Sequence, residues 1–141
     1  MPNLHNKIFL KSENEALQFA INIARNLKVP NIVALTGDLG AGKTFICRSI
    51  IRHFCGDDVE VQSPTFNILK TYEAPNFTIY HFDLYRLNSV HEIYELGFEE
   101  AFKGLCLIEW PEVIMGIVPE SALKLHIQIV DDNIRSVEVF E

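Results

Sequence analysis

The chain has 141 residues, 48% of them hydrophobic, with 12 Lys and Arg against 19 Asp and Glu and a formal net charge of −7. That length and apolar fraction suit one globular domain, residues 1–141, that closes a core without covalent staples. The acidic balance excludes a broad basic surface gripping RNA or DNA through its phosphates, and no apolar run reaches membrane length or precedes a cleavage signal, so the cytoplasm is the expected location.

Ser12 followed by Glu15 has the form of a capping box, and Ala16, Leu17, Ala20, Ile21, Ala24 and Leu27 then recur on one helical face, which predicts a first helix ending near Pro30. Residues 31–35 are a short β-branched run leading into a glycine-rich turn, and residues 44–54 have helical spacing before Gly56. Residues 62–72 and 77–83 alternate like strands around a turn at Ala74, Pro75 and Asn76, which predicts a hairpin beside the first strand. Residues 90–102 read as helix interrupted by Gly97. Residues 105–109, LCLIE, suit a strand buried on both faces. Residues 122–130 and 134–140 alternate around Asp131, Asp132 and Asn133, a second hairpin. The expected class is a three-layer α/β fold of the P-loop type, its central sheet mostly parallel with antiparallel strands or hairpins at the edges.

The stretch VALTGDLGAGKTF, residues 33–45, carries the chemistry. Gly37, Gly42, Lys43 and Thr44 match G-x-x-x-x-G-K-[ST] between an expected strand and an expected helix. Gly40, Ala41 and Gly42 keep bulk away from an anion, so that successive amide N–H groups and the helix N-terminus point at it. Lys43 would reach the β- and γ-phosphates, and the Thr44 hydroxyl a Mg²⁺ bridging them. The alternative is a glycine-rich turn with a chance lysine. Glu109 ends the apolar run 105–109, so it is expected at the carboxyl edge of the sheet as the acid on the metal side; a plain surface glutamate is its alternative. No guanine-reading Asn-Lys-x-Asp segment is present, since Asn6 and Lys7 are followed by Ile8 and Phe9, and ATP is favoured over GTP.

SPTF, residues 63–66, reads equally as a turn into a strand or as a functional segment. In HFDLYRL, residues 81–87, Asp83 ends an apolar stretch beside His81, Tyr85 and Arg86, and the segment reads equally as structural or as a carboxylate placed to orient an attacking water or support a metal. His5, His53, His91 and His126 lack metal-like spacing, and Cys47, Cys55 and Cys106 read as reduced thiols rather than a disulfide framework or zinc site.

GDLGAGKT, SPTF, HFDLYRL and IEWPE, in this order and at these separations, resemble the bacterial TsaE family, the ATPase component of tRNA threonylcarbamoyladenosine biosynthesis. The resemblance spans residues 33–112 well and the ends more loosely. It implies a nucleotide loop of Gly37, Asp38, Leu39, Gly40, Ala41, Gly42, Lys43, Thr44 and Phe45, with ATP or ADP as ligand and Mg²⁺ on Thr44 and Glu109. It implies Asp83 as the motif aspartate, Thr65 as the threonine of a switch-like segment, Trp110 as the motif tryptophan, and Glu13 and Arg135 as the acid and arginine approaching the nucleotide. It further implies a weak ATPase stimulated by two partner proteins, TsaD and TsaB, without tight tRNA binding of its own. Two other readings share the loop. A small-molecule kinase would need a lid carrying basic residues, and no arginine-rich lid is visible; a nucleotide-gated binding module would need occupancy alone.

Overall fold

The computed structural model describes residues 5–62, 64 and 67–141. Seven strands, His5–Leu10 (β1), Asn31–Gly37 (β2), Leu69–Glu73 (β3), Thr78–Asp83 (β4), Leu105–Glu109 (β5), Leu123–Asp131 (β6) and Ile134–Phe140 (β7), form one sheet in the order β1-β7-β6-β2-β5-β4-β3. The central strands β6, β2, β5 and β4 are parallel, and the antiparallel pairings β1–β7, β6–β7 and β3–β4 lie toward the edges. This is the expected class.

Side-chain alternation divides the core between two faces. Leu105 and Leu107 of β5 pack with Val33, Leu35, Ile79 and the helices Glu13–Asn26 (α1) and Lys43–Cys55 (α2). Cys106 and Ile108 pack on the opposite face with Phe82, Ile93 of Val90–Glu95 (α3), Phe98 of Phe98–Ala101 (α4) and Ile114 of the 3₁₀ helix Pro111–Ile117. All five residues of β5 are buried, as a run without polar alternation requires.

The start of α1 follows the expected chemistry. The Ser12 hydroxyl accepts the Glu15 N–H at 3.1 Å, and the Glu15 carboxylate accepts the Lys11 N–H at 3.1 Å, an exchange of the kind that stabilises a helix N-terminus by about 1 kcal/mol. The buried arc is rolled away from the expected one. It runs through Phe19, Ala20 and Ala24, with Ile23 against the same cluster, while Leu17 is exposed because the larger Phe19 takes the core side of the helix.

Two expectations are corrected. Of the strand expected over residues 62–72, the described part outside Leu69–Glu73 is not strand: Ile68 has φ 66°, a left-handed backbone that breaks the ladder, and its N–H bonds back to Pro64, while residues 63, 65 and 66 lie outside the described residues. The hairpin β3–β4 does not lie beside β2, because β5 stands between them. A strand apolar on both faces needs neighbours on both sides and a layer above and below, and the central position supplies them. The edge strand β1 and the 3₁₀ helix had no sequence counterpart.

The thiols are unequal: Cys47 and Cys106 are buried and Cys55 is partly exposed. Burial pushes Cys106 up to about 12 and Cys47 well above its ordinary range. A maleimide is therefore expected to label only Cys55 in the native protein and all three cysteines in denaturant. Mass spectrometry showing early modification of Cys47 or Cys106 would contradict this packing.

Candidate functional site

The turn from β2 into α2 gathers the charged residues. Gly42 precedes α2 with φ 114° and ψ 15°, a left-handed conformation that L side chains rarely adopt. Its first turn holds no acid, and its last carries Arg52 and His53. The 13-residue helix therefore presents its positive end to the loop without a carboxylate of its own to offset it.

Lys43, the first residue of α2, is 4% exposed. Its ammonium donates to the carbonyls of Gly37 at 2.5 Å and Asp38 at 2.9 Å and lies 4.3 Å from the centroid of the Trp110 ring. Burial lowers its pKa below the ordinary lysine value, and the carboxylates of Glu109, Glu112, Asp83 and Asp38 oppose that shift.

Alternation along β4 and β5 decides which acids meet this lysine. Glu109 shares the parity of Leu105 and Leu107, and His81 and Asp83 that of Ile79, so all three fall on the α2 face. Asp83 and Glu109 are register partners at the ends of the two parallel strands. The Thr44 hydroxyl donates to Glu109 Oε1 at 2.8 Å, while Glu109 Oε2 accepts from His81 Nε2 at 2.6 Å. Asp83 accepts the Tyr85 N–H at 3.1 Å. His81 and Glu109 are almost wholly buried, so the carboxylate is fixed through both oxygens.

Trp110 follows β5 with φ 57° and ψ 58°, a conformation that costs a non-glycine residue roughly 1–3 kcal/mol. The turn carries the indole back over the loop. There it meets Lys43 and the Tyr85 ring, whose centroid is 4.8 Å away.

On the far side of the loop lies a cavity of about 600 Å³, bordered by Glu13, Gly40, Ala41, Phe45, Asn133 and Arg135. This volume is within the range of small-molecule sites. Arg135 Nε donates to the carbonyl of Ala41 at 3.2 Å and Nη1 to that of Asp131 at 3.0 Å, tying the β6–β7 hairpin to the loop.

The structure thus brings Lys43, Thr44, Asp83 and Glu109 together at the strand ends, and sets Glu13 and Arg135 around the adjoining cavity, which none of those four lines. Gly37 and Asp38 serve Lys43 through their carbonyls, and Leu39 is 67% exposed. Thr65, with Ser63 and Phe66, lies outside the described residues. Sequence reasoning missed the His81–Glu109 bond; the two-residue spacing of His81 and Asp83 was the available signal, since it puts both on one face of a strand.

The profile of the family described as "Threonylcarbamoyl adenosine biosynthesis protein TsaE" matches residues 10–137. A Rickettsia bellii protein named tRNA threonylcarbamoyladenosine biosynthesis protein TsaE is 52% identical over 136 residues, covering 96% of this chain and 94% of that protein. A Haemophilus influenzae protein of the same name is 40% identical over 110 residues, covering 77% of this chain and 68% of its own. Among solved structures, the crystal structure of Bacillus subtilus YdiB is similar with a TM-score of 0.80 at 26% identity, covering 99% of this chain and 87% of that one.

Proposed function

The chain belongs to the TsaE family of tRNA threonylcarbamoyladenosine biosynthesis, and from that premise we propose that it is a single-domain, magnesium-dependent ATPase acting on a TsaD- and TsaB-type partner complex in the cytoplasm. The observation that carries this reading is the Thr44–Glu109 contact of 2.8 Å beside the buried Lys43. A hydroxyl and a carboxylate set together where a glycine loop enters a helix are the hard oxygen donors that Mg²⁺ prefers, and their small number suits an ion that keeps waters and phosphate oxygens in its shell. Thr44 and Glu109 would hold it. When bound, the ion would neutralise charge developing on the phosphate oxygens.

The chain's own residues account for the rest. The Lys43 ammonium exchanges its carbonyl partners for the β- and γ-phosphates, assisted by the amides of Gly40, Ala41 and Gly42 and by the positive end of α2. Phe45, Glu13 and Arg135 bound the cavity in which the nucleoside of ATP or ADP lies. Asp83, at the strand end beside Glu109, accepts a hydrogen bond from the attacking water and orients it. Thr65 is assigned to the reacting phosphate by its place in the family motif. His81 is a positioning residue: it occupies Glu109 Oε2 and leaves Oε1 to Thr44. The net charge of −7 suits contact with a protein complex better than a direct grip on tRNA.

Phosphate release from ATP, followed with and without the two partner proteins, tests the proposal. Free phosphate, dependence on Mg²⁺ and stimulation by the partners are expected. Label transferred to small metabolites would point instead to a kinase, and indifference to the partners would remove the assigned role.

A further inference from the structure

Cys47 follows Thr44 by three residues in α2, the spacing that puts two side chains on one helix face. It lies against the ends of β4 and β5, where one potential ligand atom from each of Cys47, His81 and Glu109 is within 4.8 Å of the others and all three residues are buried. A point central to three atoms so spaced is within about 2.8 Å of each, and a contraction of roughly 0.5–0.8 Å reaches the ~2.0–2.3 Å bonds that imidazole, carboxylate and thiolate make to zinc. The ring nitrogen that faces Glu109 is His81 Nε2, 2.6 Å from Oε2, so Nε2 is the nitrogen that can share an ion with that carboxylate, and the proton it carries passes to Nδ1, which has no hydrogen-bond partner among the described residues. A neutral imidazole protonated on one nitrogen keeps a lone pair on the other.

We infer that Cys47, His81 and Glu109 form a binding site for a borderline divalent transition ion of the zinc class, separate from the hard-oxygen position at Thr44 and sharing Glu109 with it. The softness of the donors makes the distinction: sulfur and imidazole favour zinc over magnesium. Binding displaces the Cys47 proton to solvent, and one thiolate, one carboxylate and a neutral imidazole then leave the dication in a cluster of zero net charge. Water completes four-coordination. Without a metal, burial and the nearby Glu109 and Asp83 carboxylates hold the thiol protonated; a bound dication reverses that balance. One consequence rests on the magnesium assignment above: Glu109 cannot serve both ions fully, so the transition ion antagonises magnesium–nucleotide binding.

Cobalt(II) titrated into the nucleotide-free protein is the direct probe. A thiolate-to-cobalt charge-transfer band, accompanied by the visible ligand-field bands of four-coordinate cobalt and abolished by Zn²⁺, is expected in the wild type and in Cys55→Ser. In Cys47→Ala the band is lost and zinc affinity, measured against a chromophoric chelator, falls by more than about 100-fold, beyond the 10–100-fold that losing an outer partner of a ligand produces. Circular dichroism checks the fold, and Cys47→Ser carries the same expectation if the alanine variant does not fold. A wild-type protein without the band, or a band that persists in the Cys47 variants, overturns the site. A band in a protein that binds no nucleotide sustains this site and refutes the ATPase reading. Zinc that leaves magnesium–nucleotide affinity unchanged despite the band overturns the shared use of Glu109.

Discussion

Glu109→Gln is expected to lower ATP hydrolysis by about 10²–10³-fold, the range found when one fixed electrostatic contributor to a transition state is removed, while the protein still folds. The substitution keeps the shape of the side chain and a hydrogen-bonding group toward both Thr44 and His81. What it removes is the negative charge assigned to the metal. Lys43→Ala is expected to cause a loss of at least the same size, because it deletes the cation assigned to the transferring phosphate. The two should differ in binding. With a fluorescent ADP analogue, Lys43→Ala weakens binding with or without Mg²⁺, whereas Glu109→Gln abolishes chiefly the gain that Mg²⁺ provides. Wild-type turnover in Glu109→Gln, with full magnesium dependence, would show that Glu109 is not the acid on the metal.

The second large effect concerns stability. Gly37 is the last residue of β2, with φ 140°, and a Cβ built there would stand 2.3 Å from the carbonyl oxygen of Ile127 in the neighbouring strand. That oxygen belongs to β6, which is paired on both sides, so it cannot retreat without disturbing two ladders. Gly37→Ala is expected to destabilise the fold by about 3–5 kcal/mol, combining overpacking with an unfavourable backbone. Against a total stability of roughly 5–15 kcal/mol this is a severe loss. Gly116→Ala is the control, since a Cβ there meets nothing within 4 Å and the change should stay within about 0.5 kcal/mol. Urea unfolding midpoints compare the two. Similar midpoints would mean that the backbone at Gly37 yields.

Where one segment carried its own instructions, the sequence was legible. LCLIE could hardly be anything but an interior strand, because five residues without a polar break, ending in an acid, suit burial followed by a turn toward solvent. The loop and α2 were legible for a similar reason, with glycines, a lysine and a threonine at fixed offsets. Lateral order was not. That β5 separates β4 from β2 depends on packing among segments distant in the chain, and periodicity within a segment cannot encode it. The edge strand β1 escaped for another reason: Lys7, Ile8 and Phe9 are all exposed, so alternation leaves no mark. The pairing of His81 with Glu109 joins two strands through their side chains, and only the register of the sheet reveals it.

That register also has a consequence for biosynthesis. β1 touches the sheet only through β7, with Leu10 opposite Arg135. β1 thus leaves the ribosome before its partner in the sheet, and the other described strands are translated between the two. Glu13 follows β1 directly, and Arg135 lies in β7, so both walls of the cavity await the same late event. Closing so long a span of chain slows folding, and a nascent chain from which β7 has yet to emerge has no finished pocket with which to capture a ligand.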